Sequence, residues 1–177
     1  EDFNNLEQEG VGYFQLSTHN GLRCSAAVAY LKPIRSRKNL TIITNAQASK
    51  VLFAERKAIG IEYIQAGQRY SIKAQREVLL SAGAIQSPQL LQLSGIGPAK
   101  LLQEYGIPVL HDSPGVGENL QDHLQIRSVY KVKNAKTLNT LANSWLGKAK
   151  IGLEYAMSRT GPMSMAPGHL GAFTKSS

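Results

Sequence analysis

Two stretches of this chain carry residues arranged for chemistry. The first is Ser81-Ala82-Gly83-Ala84, a turn of small residues followed by Ser87-Pro88 and an apolar run that stops at Gly95. Ser87 suits an N-cap, Pro88 the first helical position and Gly95 a left-handed stop, which predicts a short helix fixed at both ends. Ahead of the turn, Val78-Leu79-Leu80 is an unbroken apolar run, as expected of a strand covered on both faces in a parallel sheet. Strand, small turn and helix N-terminus together can present backbone N–H groups and a helix dipole to an anion such as a pyrophosphate. Close packing of a helix on a strand asks for the same small residues, so a binding reading and a packing reading both stand. The second stretch is Pro114 to His123, a loop by composition in which Asp122 adjoins His123. Neighbouring side chains point apart, so this pair reads as hydrogen-bonding or capping groups rather than an acid–base dyad.

Other chemistries lack their residues. His19, His111, His123 and His169 form no i, i+4 pair, and Cys24 has no ligand-type neighbour, so no metal site is indicated. No Ser or Cys stands in a nucleophile-elbow context. Gly10 with Gly12 and Gly95 with Gly97 are pairs without the third glycine or the preceding strand of a Gly-x-Gly-x-x-Gly phosphate loop. No catalytic residue is assigned.

The elements that must position these stretches follow in chain order. Tyr13–Thr18 and Leu22–Cys24 around His19-Asn20-Gly21 predict a hairpin. Ser25 predicts the cap of a short helix, Ala26–Leu31, that Pro33 ends. Asn39–Thr44 is rich in β-branched residues and predicts a strand. Gln47–Phe53, Ala58–Ile64 and Arg69–Ala74 alternate, with Val51, Phe53, Ile59, Ile61, Tyr63, Tyr70 and Ile72 on one face, and predict an antiparallel meander. Pro98 opens a second helix, Ala99–Tyr105, that Gly106 stops. Leu124–Val132 alternates as a strand with one polar face. Leu138, Leu141, Trp145, Leu146, Ala149, Leu153 and Met157 recur at helical spacing over about 138–158, and Leu170–Thr174 is a last candidate strand. The last two strands are expected to pair in one antiparallel sheet with the helix against it.

The 177 residues suffice for one domain with a sizeable core. The chain opens on Glu1, and its only methionines are Met157, Met163 and Met165, so an interior piece of a longer polypeptide is expected. No apolar run approaches the roughly 20 residues of a membrane-spanning helix. One cysteine rules out an internal disulfide and fits a reducing compartment. The net charge of +8 and pI near 9.7 suggest a polyanion partner only if basic residues cluster. They are scattered apart from Lys32-Arg35-Arg37-Lys38 and Lys131-Lys133-Lys136, so nucleic acid is not expected.

Gly83-Ala84-Ile85-Gln86-Ser87-Pro88-Gln89-Leu90-Leu91-Gln92-Leu93-Ser94-Gly95-Ile96-Gly97 resembles, at every constrained position, the second signature of the glucose–methanol–choline (GMC) oxidoreductases, flavoenzymes that oxidise alcohols with FAD. Gly115-Val116-Gly117-Glu118-Asn119-Leu120-Gln121-Asp122-His123 resembles a further segment of that family. Glu9–Gly12, Gln15–Thr18 and Gly21–Ala27 are similar to its bacterial choline-dehydrogenase-like branch. The resemblance implies a mixed α+β and α/β fold. Residues 1–123 would be part of a Rossmann-like FAD-binding domain with a β-meander, and residues 124–177 part of a substrate-binding domain with an antiparallel sheet. It places Ala48 near the adenine ring, Ser81, Ala82 and Gly83 at the cofactor-facing turn, and Asn119, Asp122 and His123 near the flavin. The catalytic base would be a histidine beyond Ser177. The implied cofactor is FAD in the whole protein, absent from this piece alone. The implied partner is a small-molecule alcohol, with self-association through uncovered surface, in the cytoplasm or at the inner-membrane surface. The alternative is a non-catalytic nucleotide-binding or basic-surface nucleic-acid-binding module.

Overall fold

The computed structural model describes residues 3–135, 137–165 and 168–175. Lys136 of the second basic concentration lies outside them. In chain order come β1 (Gly10–Tyr13), β2 (Thr18–His19) and β3 (Leu22–Arg23), then a π-helical turn, Ala27–Leu31, continued by a 3₁₀ turn, Lys32–Ile34. The meander strands β4 (Ala46–Ala54), β5 (Lys57–Gln65) and β6 (Gln68–Lys73) follow, then α1 (Gly83–Leu93), β7 (Ile96–Gly97), α2 (Ala99–Glu104) and β8 (His111–Asp112). Last are α3 (Leu138–Ala142), α4 (Trp145–Ser158), a 3₁₀ turn, Pro162–Ser164, and β9 (Leu170–Phe173). Two compact units result: residues 41–127 form one, while residues 1–40 and 128–177 together form the other.

In the unit of residues 41–127 the expected meander is present, in the order β4-β5-β6 and antiparallel throughout. Alternation aligns Val51 with Ile61 and Ile61 with Ile72 across the three strands, and the Tyr63 and Tyr70 rings stack at 5.4 Å. Ala66 and Gly67, both at positive φ, make the two-residue turn whose twist suits a hairpin. On the polar side Ser49 donates to Glu62 at 2.8 Å and Arg69 pairs with the same carboxylate at 2.9 Å. The Ser49 hydrogen bond first, and then the Arg69 charge, hold the Glu62 carboxyl below its ordinary range.

Helix α1 packs on β4. Val51, Leu90 and Leu102 are the buried apolar side chains of the described residues, and Ser94 is buried among them. The Val51 N–H, on the strand edge away from β5, donates to Ser94 Oγ at 2.8 Å, and Ser94 Oγ–H donates to the Leu90 carbonyl at 2.6 Å. Gly95 then turns the chain at φ +89°, with the Pro108 carbonyl only 2.6 Å from where a Cβ would stand. Its carbonyl accepts from Leu110 and His111, which sets β8 parallel to β7. Helix α2 ends as expected at Gly106: Ile107 N–H reaches back to Leu102 O at 2.8 Å and Gly106 N–H to Gln103 O at 3.0 Å.

In the other unit Asn20-Gly21 forms the expected tight turn, with Thr18 opposite Arg23 and His19 opposite Leu22. The Tyr155 hydroxyl of α4 donates to the Gly21 carbonyl at 3.1 Å, and Arg159 lies 5.1 Å above the Tyr155 ring. Strand β9 pairs antiparallel with β1, Gly10 opposite Phe173 through Tyr13 opposite Leu170.

Three expected strands fail for one reason: alternation and β-branching make a segment extended, and a strand also needs a partner. Asn39–Thr44, Val78–Leu80 and Leu124–Val132 join no ladder among the described residues. Leu124–Val132 does not pair with the 170–174 segment, and among the described residues β9 pairs with β1 alone. The single helix expected over 138–158 is two helices, since Ser144 has an extended backbone and caps α4 by accepting from Gly147 N–H. Its apolar stripe is not turned inward: Trp145, Leu146, Leu153 and Met157 are exposed, while Ile151 and Tyr155 are half-buried.

The Ser94 bridge is a test of this packing. Ser94→Ala leaves a buried backbone N–H without an acceptor and is expected to cost about 1–3 kcal/mol. It should appear in urea unfolding as a lower midpoint at unchanged slope, and an unchanged midpoint would show that β4 and α1 are held by apolar contact alone.

Candidate cofactor site

The small-residue turn sits where the chain enters α1, but the helix begins earlier than its cap pattern predicts. Ala82, not Ser87, is the N-cap residue, and Pro88 lies inside the helix. Gly83, at φ +88°, lets the backbone turn directly into the first helical residues. Ser87 works backwards from within: its hydroxyl accepts the Ala82 N–H at 3.1 Å, five residues earlier. The missing N–H of Pro88, the sixth residue of α1, leaves the Ala84 carbonyl without its usual partner.

Ser81, Ala82 and Gly83 are all exposed, and a Cβ built on Gly83 has no atom within 4 Å. Open space beside bare backbone, at the positive end of an 11-residue helix, is what a phosphate group needs. The flanking Leu79 and Ile85 are 79% and 70% exposed, so apolar surface adjoins the turn.

Ala48 is exposed on β4, opposite Tyr63, at a bulge where the register shifts between Ala48 and Lys50. An unpaired extra residue re-aims its neighbours, and bulges collect beside binding sites. Ala48 is three residues, about 10 Å of strand, from the Val51–Ser94 bridge. Gly83 is eleven residues, about 16 Å of helix, from the same bridge.

The loop that carries Asn119, Asp122 and His123 leaves β8 and is tied to the other end of α1. Gln92 Nε2 donates to the Val116 carbonyl at 3.0 Å, and Gly117 lies against the same amide. Asn119 is exposed with φ +57°, a left-handed conformation that asparagine tolerates. Asp122 accepts its neighbour's backbone N–H, from His123, at 2.8 Å, and among the described residues its carboxylate makes no hydrogen bond to the imidazole. The segments that carry the seven predicted residues are thus joined through α1, and among the described residues the one hydrogen bond between two of the seven is that of Asp122 with the His123 N–H.

Sequence reasoning missed the two side chains that do the tying, Gln92 and Ser94. Their only signal is polarity within the otherwise apolar Leu90-Leu91-Gln92-Leu93-Ser94 run. No group of three or more His, Cys, Asp or Glu side chains able to hold a metal ion occurs among the described residues, and no helix among them is long and apolar enough to cross a membrane.

Comparison with known proteins adds findings of three kinds. A family profile described as GMC oxidoreductase matches residues 1–125. The chain is 45% identical to an oxygen-dependent choline dehydrogenase of Pectobacterium carotovorum subsp. carotovorum (strain PC1), over 99% of its own length and 32% of the relative's. It is also 45% identical to an alcohol dehydrogenase [acceptor] of Pseudomonas putida, with the same coverage. Among solved structures it resembles an FAD-dependent oxidoreductase from Chaetomium thermophilum, with TM-score 0.76 and 32% identity over 88% of this chain and 28% of that one. A fungal aryl-alcohol oxidase gives TM-score 0.79 and 28% identity over 92% and 28%. The chain therefore spans about a third of the length of the curated relatives it matches.

Gln92→Leu should release the 114–123 loop while leaving the fold intact. Cleavage after Glu118 by a glutamyl endopeptidase is expected to quicken several-fold, with a change in global stability of about 1 kcal/mol. An unaltered cleavage rate would mean that the loop is held without Gln92.

Proposed function

This chain belongs to the GMC oxidoreductase family, and from that premise we propose that the whole protein is an FAD-dependent alcohol dehydrogenase or oxidase of the choline-dehydrogenase-like kind. The observation that carries the reading is the turn at Gly83. Bare, exposed backbone with an unfilled Cβ direction fits a dinucleotide phosphate, and it lies within the segment that resembles the family's second signature.

On this proposal Ser81, Ala82 and Gly83 offer backbone to the cofactor, and Ala48 lies beside its adenine end. Asn119, Asp122 and His123 lie toward the flavin. FAD, when bound, supplies the acceptor for the hydride that leaves the alcohol carbon. What this chain contributes is position. The Ser94 bridge sets α1 on the sheet, Ser87 holds the turn closed, and Gln92 holds the loop. The sequence alone assigned the cofactor role to residues 1–123 and the substrate role to 124–177, and we keep that division as a functional proposal. The compact units follow space rather than chain order, and residues 1–40 join the C-terminal unit.

The substrate class we propose is a small alcohol, and nucleic acid is not among the proposed partners. Exposed Leu124, Ile126 and Tyr130 favour association with further protein surface, including a second copy. The single cysteine, Cys24, is free, which suits a reducing compartment such as the cytoplasm, or the inner-membrane surface facing it.

Two outcomes test this. In the whole protein, Gly83→Val is expected to abolish FAD retention through dialysis while circular dichroism stays near wild type. A branched side chain is strained at φ +88° and occupies the open space. Full flavin content in that variant would assign Gly83 to packing. The 177 residues alone are expected to purify colourless and to leave a dye acceptor unreduced with choline or simple alcohols, because they contain no Gly-x-Gly-x-x-Gly loop. A stoichiometric flavin spectrum from them would favour the alternative, a nucleotide-binding module complete in itself.

A further inference from the structure

Among the described residues, His169 Nε2 is the one buried side-chain nitrogen or oxygen without a hydrogen-bond partner. Burying such an atom unpaired is destabilising, so a native structure that keeps one needs a reason for it. The ring has little freedom to escape. The His169 carbonyl accepts the Phe14 N–H at 2.8 Å, which extends the β1–β9 ladder one step past Tyr13 opposite Leu170. The residue is held in register with its neighbours.

The pleat then says what lies beside it. Residues 169, 171 and 173 share one face of the extended segment. On that face the Phe14 ring lies directly over Gly171, and the rings of Phe3, Phe14 and Phe173 form a cluster with centroids 4.8–6.5 Å apart. Phe14 and Phe173 remain 39% and 37% exposed. Phe14 stands opposite His169 where the ladder is extended, so the buried, unpaired nitrogen and the half-exposed rings belong to one face of β1 and β9, which pairs one directed hydrogen bond with an adjacent apolar surface.

We propose that His169 is a substrate-binding residue of the whole protein. Its Nε2 hydrogen-bonds a hydroxyl or carbonyl group of the small molecule whose apolar part rests on the Phe3, Phe14 and Phe173 rings. This rests on the reading of the protein as an alcohol oxidoreductase and adds the residue that reads the substrate's polar group. His169 takes no proton in this assignment.

The test uses the whole protein loaded with FAD, assayed with a dye acceptor on benzyl alcohol and on choline. For whichever alcohol the wild type oxidises, His169→Leu is expected to raise KM about tenfold or more, with a smaller effect on kcat and unchanged flavin content. His169→Gln, which keeps a hydrogen-bonding terminus, should return KM to within about threefold of wild type. Without alcohol, the leucine variant should melt no lower than wild type, because no hydrogen bond is lost in the free protein. An unchanged KM in the leucine variant overturns the assignment. So does a Tm lowered by several degrees without alcohol, which would place the nitrogen's partner inside the protein. A wild type that binds FAD but oxidises neither alcohol overturns the functional reading, and this inference with it.

Discussion

The Ser94 hydroxyl supplies the hydrogen bond that joins β4 to α1 among the described residues. It accepts from an edge N–H of β4 and donates into the last turn of α1, so one buried oxygen satisfies a strand edge and a helix end together. Strand edges and helix termini are the two places where backbone polar groups go unpaired. A serine one residue before a left-handed glycine meets both needs, and Gly95 can then carry the chain away toward β7. The depth of the meander against α1, and hence the relation of Ala48 to the Gly83 turn, depends on that bridge.

From there the unit of residues 41–127 is built outward in both directions. Toward the start of α1, Ser87 closes the turn and Gly83 leaves it bare. Toward the end, Gln92 holds the Val116–Gly117 segment, and Gly95 and Gly97 supply the carbonyls that anchor Leu110, His111 and Ser113. Polar side chains on one helix thus fasten three neighbours, and the faces they leave open are those that the family resemblance assigns to a flavin cofactor. Membership in the GMC oxidoreductases, matched over residues 1–125, agrees with a scaffold whose exposed points are backbone and whose buried points are fasteners.

The other unit is organised differently. Its centre is a cluster of phenylalanine rings laid across β1 and β9, with the Asn20-Gly21 turn seated on the C-terminal end of α4. Strand β9 lies about 160 residues from the strand it pairs with, so no local pattern announces the pairing. The closure entropy of so long a loop must be offset by the aromatic contacts it makes possible. The outward stripe of α4 and the unpaired Leu124–Val132 segment leave much apolar surface on show, in a chain that spans about a third of the length of its curated relatives.

Local patterns alone determined the meander and its registered apolar face, the Asn20-Gly21 turn, the Gly106 stop of α2 and the left-handed stop at Gly95. Each depends on residues a few positions apart, through side-chain alternation or a φ preference. The motif residues of the Gly83 turn and the 115–123 loop were legible for the same reason, as was the family. The tertiary structure decided what spacing cannot encode. It chose which extended segments find a partner, so that β9 joins β1 while Val78–Leu80 and Leu124–Val132 join none. It chose which face of α4 is covered, turning Ile151 and Tyr155 toward the protein instead of Trp145 and Leu153. It also gave Gln92, Ser94 and His169 their meaning, because a hydrogen bond made or left unmade between distant residues has no periodicity to read.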